Sequence, residues 1–174
     1  MKSFIVLTIL FYLLVLIQIG FLVPLNVFGL TPNLVLIFLI IFAVLEEKGK
    51  NLSLAMALLA GFFTDVFSSL PIGTTIIIFL LLAFILKRVI PLIKELDLFW
   101  LFILFFFSVV FYNLLMTFIP FLLSLSSLRS DFFQINIKKQ FFIEIILNLL
   151  TGLITFYIIS LAKRYVWRFF KKGA

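Results

Sequence analysis

The chain has 174 residues, of which 66% are apolar and only 12% are charged, and its mean hydropathy is +1.39. Soluble domains are roughly 45–50% apolar and about 25% charged, so the composition excludes an ordinary soluble domain. The lack of Cys and His excludes disulfides, thiol catalysis and Cys/His zinc sites, and the net charge of +7 does not by itself indicate nucleic-acid binding in a membrane protein.

Six apolar segments along the chain are predicted to form membrane helices, each of which ideally needs about 20 apolar residues. The first segment exceeds the roughly 7–15 apolar residues of a signal peptide and lacks a small-residue cleavage site, so we interpret it as a retained span. The predicted helices cover residues 4–23, 32–45, 52–69, 73–86, 98–119 and 141–162.

Prolines mark several of the predicted helix ends. Pro24 follows the first helix, Thr31 and Pro32 supply an N-cap and a first-turn proline for the second, and Pro120 is predicted to end the fifth. The second and fourth helices are predicted to be short, about 21 Å long against a hydrocarbon core of about 30 Å. Either neighbouring helices must therefore shield their ends or the bilayer must thin around them.

The distribution of positive charge predicts the orientation. With the N-terminus inside, all Lys and Arg residues except Arg129, Lys138 and Lys139 fall on the cytoplasmic side, as the positive-inside rule requires. We therefore predict an all-α polytopic membrane protein, a single integral membrane domain over residues 1–174, with both termini cytoplasmic. The basic, aromatic tail 163–174 is either a topology anchor against anionic lipids at the cytoplasmic face or a docking site for a cytoplasmic partner.

The third helix carries a stripe of small residues that ends in an acid. Ala57, Gly61 and Asp65 are spaced by four, and small residues at this spacing allow close helix packing, which predicts that this helix is the centre of the bundle. Asp65 precedes a turn that contains Pro71 and Gly73. We interpret its carboxylate as an acceptor for the backbone amides of this turn, and contact with a partner or ligand is the alternative.

Polar side chains of the other helices fall at the same depth as Asp65. They are costly in a membrane and usually face the bundle interior, so we predict an inward-facing cluster that opens toward the outer surface. For its two Asn residues the alternative is a mutual hydrogen bond, and for its Glu a favourable position at a helix N-terminus. The cluster consists of Gln18, Asp65, Asn113, Glu144 and Asn148.

The sequence offers little for catalysis. It contains no phosphate-binding loop, no HExxH pair and no nucleophile beside a base. Asp65 and Glu144 could form a carboxylate pair, but nothing positions a substrate between them. An ion carrier would more often show broken, paired helices or internal repeats. We predict no enzyme activity, no catalytic residue, no cofactor and no metal site.

The segment TPNLVLIFLIIFAVL, followed by AGFFTDVFSSLPIGTT, resembles the MreD family of rod shape-determining proteins. That family pairs a Pro-Asp/Asn-Leu helix start with Gly-Phe-x-x-x-Asp and a Ser/Gly-x-Pro-x-Gly turn, and the resemblance covers residues 31–88. The chain departs from the common pattern at Asn33, where Asp is usual, and at Ser69, where Gly is frequent. The matching residues are Pro32, Asn33, Leu34, Gly61, Phe62, Asp65, Ser69, Pro71 and Gly73.

The resemblance implies a non-enzymatic subunit of the cell-elongation complex in the bacterial inner membrane. It implies MreC as a direct partner, and the MreB filament, RodA and its transpeptidase as direct or indirect partners, without nucleic acid. A homodimer within the larger complex is compatible with it. The resemblance also implies a fold similar to the substrate-binding subunits of energy-coupling-factor transporters.

That fold supplies an alternative function, the binding of a vitamin in the outer polar cavity for transport. The first helix lacks a stripe of Ala residues for docking a transport partner, and the 124–140 loop has no aromatic residues beyond Phe132 and Phe133. Both absences favour the scaffold. Phe132 and Phe133 are the predicted partner contacts in this loop.

Overall fold

The computed structural model of the chain describes residues 2–25, 31–46, 51–68, 71–93, 98–127 and 143–159. Within these ranges the chain forms six helices and no strand, which confirms the all-α fold class. The first helix, α1, continues from Lys2–Ile17 through a π-helical segment, Gln18–Leu22, into Val23–Leu25. The others are α2 (Leu34–Leu45), α3 (Leu52–Val66), α4 (Thr74–Val89), α5 (Leu98–Ser127) and α6 (Ile143–Ile159).

Three of the helical segments are long and apolar enough to cross a membrane: Phe4–Leu22, Thr74–Leu92 and Phe99–Ile119. The shorter apolar helices are α2, α3 and α6, so the prediction of short second and fourth helices is right for α2 and wrong for α4. α4 continues past residue 86 and ends in a 3₁₀ turn, Ile90–Leu92. Its last turn contains Lys87 and Arg88, whose positive charges suit the negative end of a helix dipole.

Pro120 does not end the fifth helix. α5 runs through this residue to Ser127, so the predicted boundary at residue 119 is wrong. A proline inside a helix removes one backbone hydrogen bond and bends the axis, and membrane helices tolerate this when neighbouring groups satisfy the freed carbonyl.

The second helix, rather than the third, lies at the centre of the described bundle. α2 buries eight of its 12 residues and packs against α1, α3, α4 and α5. α3 leaves Leu58, Phe62 and Val66 exposed. The physical reason is that α2 is apolar on every side and can be covered on every side, whereas a stripe of small residues favours one close neighbour.

That close neighbour of α3 is α4. A Cβ atom built on Gly61 would lie 2.6 Å from the Ile76 Cα atom and 2.8 Å from its backbone nitrogen. Real Cβ atoms do not approach backbone this closely, so the two helices can meet only because residue 61 has no side chain. The small-residue stripe therefore sets the spacing of the α3–α4 pair, even though α3 is not central.

At the opposite end of α3 from Asp65, Glu46 caps the start of the helix. Its carboxylate accepts hydrogen bonds from the backbone amides of Leu52 and Ser53 and from the Ser53 hydroxyl. The Lys87 ammonium lies 3.9 Å from the same carboxylate. A negative group at a helix N-terminus satisfies free amides and favours the dipole, so this contact ties the α2–α3 connection to the end of α4.

Candidate functional site at the polar end of the helix bundle

Polar side chains, two of them from other helices, accept hydrogen bonds from the backbone amides where α2 begins. The backbone nitrogen of Asn33 donates to Asn148 Oδ1 on α6 at 2.6 Å, and that of Val35 donates to Gln18 Oε1 on α1 at 3.2 Å. Asn33 Oδ1 accepts from the Leu36 amide at 3.0 Å. The start of a helix leaves up to four amides without partners. Side chains from α1 and α6 therefore meet the Asn33 cap where α2 begins, and we call this end of the bundle the polar end.

Tyr112 on α5 extends this network. Its hydroxyl oxygen accepts a hydrogen bond from Asn33 Nδ2 at 2.9 Å, and its ring packs on Phe79 of α4 with centroids 5.8 Å apart. Tyr112 was not among the site residues predicted from the sequence, and the available signal was its hydroxyl group directly before Asn113 in a largely apolar helix.

Asp65 satisfies the start of α4 in the same way. Oδ2 accepts from the backbone amides of Gly73 at 2.7 Å and Ile76 at 3.3 Å, and Oδ1 accepts from the Thr75 amide at 2.9 Å. The carboxylate is almost fully buried, with Asp65 1% exposed. Gly73 has a φ of +104°, which only glycine adopts readily. The side chain at the end of α3 thus holds the backbone that begins α4.

The two motif prolines lie beside these helix starts. Pro32 is half-buried immediately before Asn33, and Pro71 is exposed immediately before the α4 turn. The Pro71 carbonyl accepts from both the backbone nitrogen and the hydroxyl of Thr74, at 3.1 and 2.8 Å. The motif residues Pro32, Asn33, Asp65 and Pro71 therefore serve the same structural purpose, which is to begin a helix.

The remaining cluster residues lie on α5 and α6. Asn113 and Asn148 are buried, but neither Nδ2 atom has a partner among the described residues, so the mutual hydrogen bond considered from the sequence is wrong. Glu144 is half-buried at the second position of α6, where a helix dipole favours negative charge. Phe132 and Phe133 lie outside the described residues.

Among the described residues, no group of three or more His, Cys, Asp or Glu side chains could hold a metal ion. The acids at the polar end also have different surroundings. Asp65 is occupied by three backbone amides, whereas Glu144 makes no hydrogen bond to another described residue. The geometry at this end organises helix starts and presents no described nucleophile beside a base.

A family model for the rod shape-determining protein MreD matches residues 1–164. The chain belongs to the MreD family. No curated protein and no solved structure matches it. The motif resemblance covered about a third of the chain, and the family match extends it through all six described helices. As an MreD-family protein it is a rod shape-determining membrane protein, and the family is a shape-determining one rather than a family of enzymes.

In this MreD-family chain, Asn148→Leu is expected to destabilise the fold more than Tyr112→Phe. The first change leaves the buried Asn33 backbone amide without its acceptor, and the second leaves the Asn33 side-chain amide without its acceptor, each at a cost of about 1–3 kcal/mol. The second cost is the smaller, because the Asn33 side chain can rotate toward another acceptor whereas the backbone amide is fixed. Thermal unfolding of the purified protein in detergent measures both. Thr155→Val is the control on α6, because that hydroxyl bonds only its own helix, at the Thr151 carbonyl. If Asn148→Leu and Thr155→Val have equal midpoints, the expectation is contradicted.

Proposed function

We propose that this protein is a non-enzymatic membrane scaffold of the cell-elongation complex. It binds MreC and couples the cytoplasmic MreB filament to peptidoglycan synthesis by RodA and its transpeptidase. The observation that carries the proposal is the family match over residues 1–164. The family is associated with the rod-shape complex, which supplies the class of partner.

The use of the polar side chains supports a scaffold. In a membrane each free backbone amide must find an acceptor within the protein. Four side chains use an oxygen to accept a hydrogen bond from a backbone amide at the start of α2 or α4: Gln18, Asn33, Asp65 and Asn148. Most of the polar cluster is therefore engaged in holding short helices in place, which suits a rigid docking surface.

The proposed arrangement in the bacterial inner membrane is one integral domain of six spans with both termini cytoplasmic. A fold like that of the substrate-binding subunits of energy-coupling-factor transporters is part of the proposal. In this arrangement the basic residues near the end of α4 face anionic lipids inside the cell. A reporter fused after Ala174 should be active only in the cytoplasm, and activity outside would refute the arrangement.

Depletion tests the function directly. Cells that lose this protein should become round and should stop inserting new wall along their sides, and expression of the full chain should restore both. Continued rod growth without the protein would refute the scaffold role. Because the readout is cell shape, it does not depend on where MreC binds.

The 124–140 segment is the proposed contact for MreC, with Phe132 and Phe133 as its apolar anchors. Alanine at both positions should reduce the recovery of MreC with the purified protein at least several-fold, while membrane insertion stays normal. Phe99→Ala is the matched control, because Phe99 is an exposed aromatic residue at the start of α5, outside the proposed contact. Equal recovery from both variants would place the contact elsewhere.

The alternative function, vitamin binding for a transporter, has one observation in its favour. Asn113 and Asn148 each keep a buried amide nitrogen without a partner among the described residues. The burial argues against a ligand of vitamin size, since Asn148 is 0% exposed. Saturable 1:1 binding of a vitamin by the purified protein would support this alternative, and co-purification with MreC without any such binding would support the scaffold.

A further inference from the structure

Three fully or nearly buried polar groups at the polar end have unused hydrogen-bonding capacity. Thr75 Oγ1, Asn113 Nδ2 and Asn148 Nδ2 have no partner among the described residues, and their side chains belong to residues that are at most 5% exposed. Buried polar groups in native proteins almost always have a partner, either protein or water. These three groups therefore indicate a partner outside the described side chains.

The direction of the hydrogen bonds in this network leaves donors, rather than acceptors, without partners among the described residues. Asn148 Oδ1 accepts from the Asn33 backbone amide, so the other atom of that amide group must be the nitrogen donor. The Tyr112 hydroxyl already accepts from Asn33 Nδ2, which leaves its own hydrogen without an acceptor among the described residues. The group that completes this network must accept hydrogen bonds.

The register of the helices brings these groups to one depth of the bundle, and we call the region between α4, α5 and α6 at this depth the seam. A Cβ atom on Gly152 would lie 2.7 Å from the Phe105 ring, so these two residues are level on the antiparallel helices α5 and α6. Moving eight residues toward the polar end on each helix, at 1.5 Å per residue, brings Asn113 level with Glu144. Asn148 lies one turn from Glu144 on α6.

Thr75 reaches the same seam from α4. It lies one turn from Phe79, whose ring contacts Tyr112, and on the same face of the helix. Glu144, at the mouth of the seam, is half-buried and has a carboxylate without a partner among the described residues. The seam thus has donors inside and an acceptor at its surface.

We propose that this seam binds water molecules in a hydrogen-bonded chain that runs from Glu144 past Asn113 and Asn148 to Tyr112 and Thr75. Water can accept hydrogen bonds from the amide nitrogens and donate one to the Glu144 carboxylate, so water alone can partner both the buried donors and this acceptor. The burial of Thr75 and Asn148, each 0% exposed, favours water over a larger ligand. Buried waters typically make about three such hydrogen bonds.

Radiolytic hydroxyl labelling of the full chain in detergent tests the proposal. A side chain beside bound water is oxidised even when it is buried, so Tyr112 should be labelled at least threefold faster than the buried ring of Phe105. Asn113→Leu removes one donor of the chain, whose side-chain amide makes no hydrogen bond to a described residue, and should reduce the labelling of Tyr112. Labelling of Tyr112 at the rate of Phe105, or no effect of Asn113→Leu, would overturn the proposal.

Thr75→Val gives an independent measurement. If the Thr75 hydroxyl binds water, the valine variant should unfold a few degrees below wild type, about as far as Thr74→Val. Thr74 is the matched reference because its hydroxyl donates to the Pro71 carbonyl at 2.8 Å. If the seam is dry, valine removes an unsatisfied group, and an unchanged or higher midpoint for Thr75→Val would overturn the proposal.

Discussion

Replacing Asp65 by Leu is expected to prevent the chain from accumulating as a folded membrane protein. The change removes both oxygens that accept from the amides of Gly73, Thr75 and Ile76. A buried donor without an acceptor costs about 1–3 kcal/mol, and folded proteins are stable by only about 5–15 kcal/mol. Three such donors at the start of one helix remove a large share of that stability.

Asp65→Asn is expected to be intermediate. Its single oxygen can take the place of Oδ2 and keep the bonds to Gly73 and Ile76, but its NH₂ group then faces the Thr75 amide, donor against donor. Folded yield and melting temperature in detergent should rank wild type above Asn and Asn above Leu. Thr64→Val is the control on α3, because that hydroxyl donates only to the Ala60 carbonyl of its own helix.

Two outcomes would contradict this account of Asp65. A Leu variant with the melting temperature of wild type would show that the three amide contacts contribute little. An Asn variant as unstable as Leu would assign the stability to the negative charge rather than to the number of hydrogen bonds. The Thr64→Val control should stay within about 0.5 kcal/mol of wild type, as surface or locally satisfied substitutions usually do.

The tie between Asp65 and the start of α4 was accessible from the sequence because it is local. Acceptor and donors lie within 11 positions, in a segment whose Pro and Gly mark a turn. The contact of Asn148 with Asn33 spans 115 positions, and that of Tyr112 with Asn33 spans 79. Apolar periodicity does not specify which distant helices meet, so the sequence predicted a polar cluster but not which residues form hydrogen bonds with it.

The number of helices was easier to predict than where they end or which of them lies at the centre of the bundle. Six apolar runs correspond to six described helices, since each run must form backbone hydrogen bonds within itself in a membrane. The misjudged ends lie at Lys87 and Pro120, where a residue that usually stops an apolar run remains within the helix. The central position of α2 depends on what covers its far side, which only the packing of the other helices determines.

Both helix starts at the polar end have backbone amides without a partner inside the helix, and side chains from other helices satisfy them. α2 is shorter than a typical membrane span, and polar side chains from α1, α5 and α6 reach its first turn or the Asn33 cap before it. α4 begins at a turn, and a side chain from α3 reaches it. The arrangement couples the packing of the whole bundle to a few hydrogen bonds, so a change in helix spacing should disturb the polar end.

Gly61→Ala is expected to produce such a change. Its new methyl group would meet the Ile76 Cα atom at 2.6 Å and the Ile76 nitrogen at 2.8 Å, and backbone atoms cannot rotate away as a side chain can. Overpacking a core typically costs about 1–3 kcal/mol, and we expect this variant at the upper end of that range or beyond. Because Ile76 also donates to Asp65, separation of α3 and α4 should weaken the tie at the start of α4.

The chain contains two matched glycines for comparison. The atoms nearest to a methyl group on Gly152 would belong to the Phe105 side chain rather than to backbone, and a methyl group on Gly20 would meet nothing within 4 Å. The loss of melting temperature should therefore be largest for Gly61, smaller for Gly152 and negligible for Gly20. Rod shape in depleted cells should be restored by the Gly20 variant and lost with the Gly61 variant. Equal stability of the Gly61 and Gly20 variants would mean that close packing of α3 on α4 is not required, and the polar end would then depend on Asp65 alone.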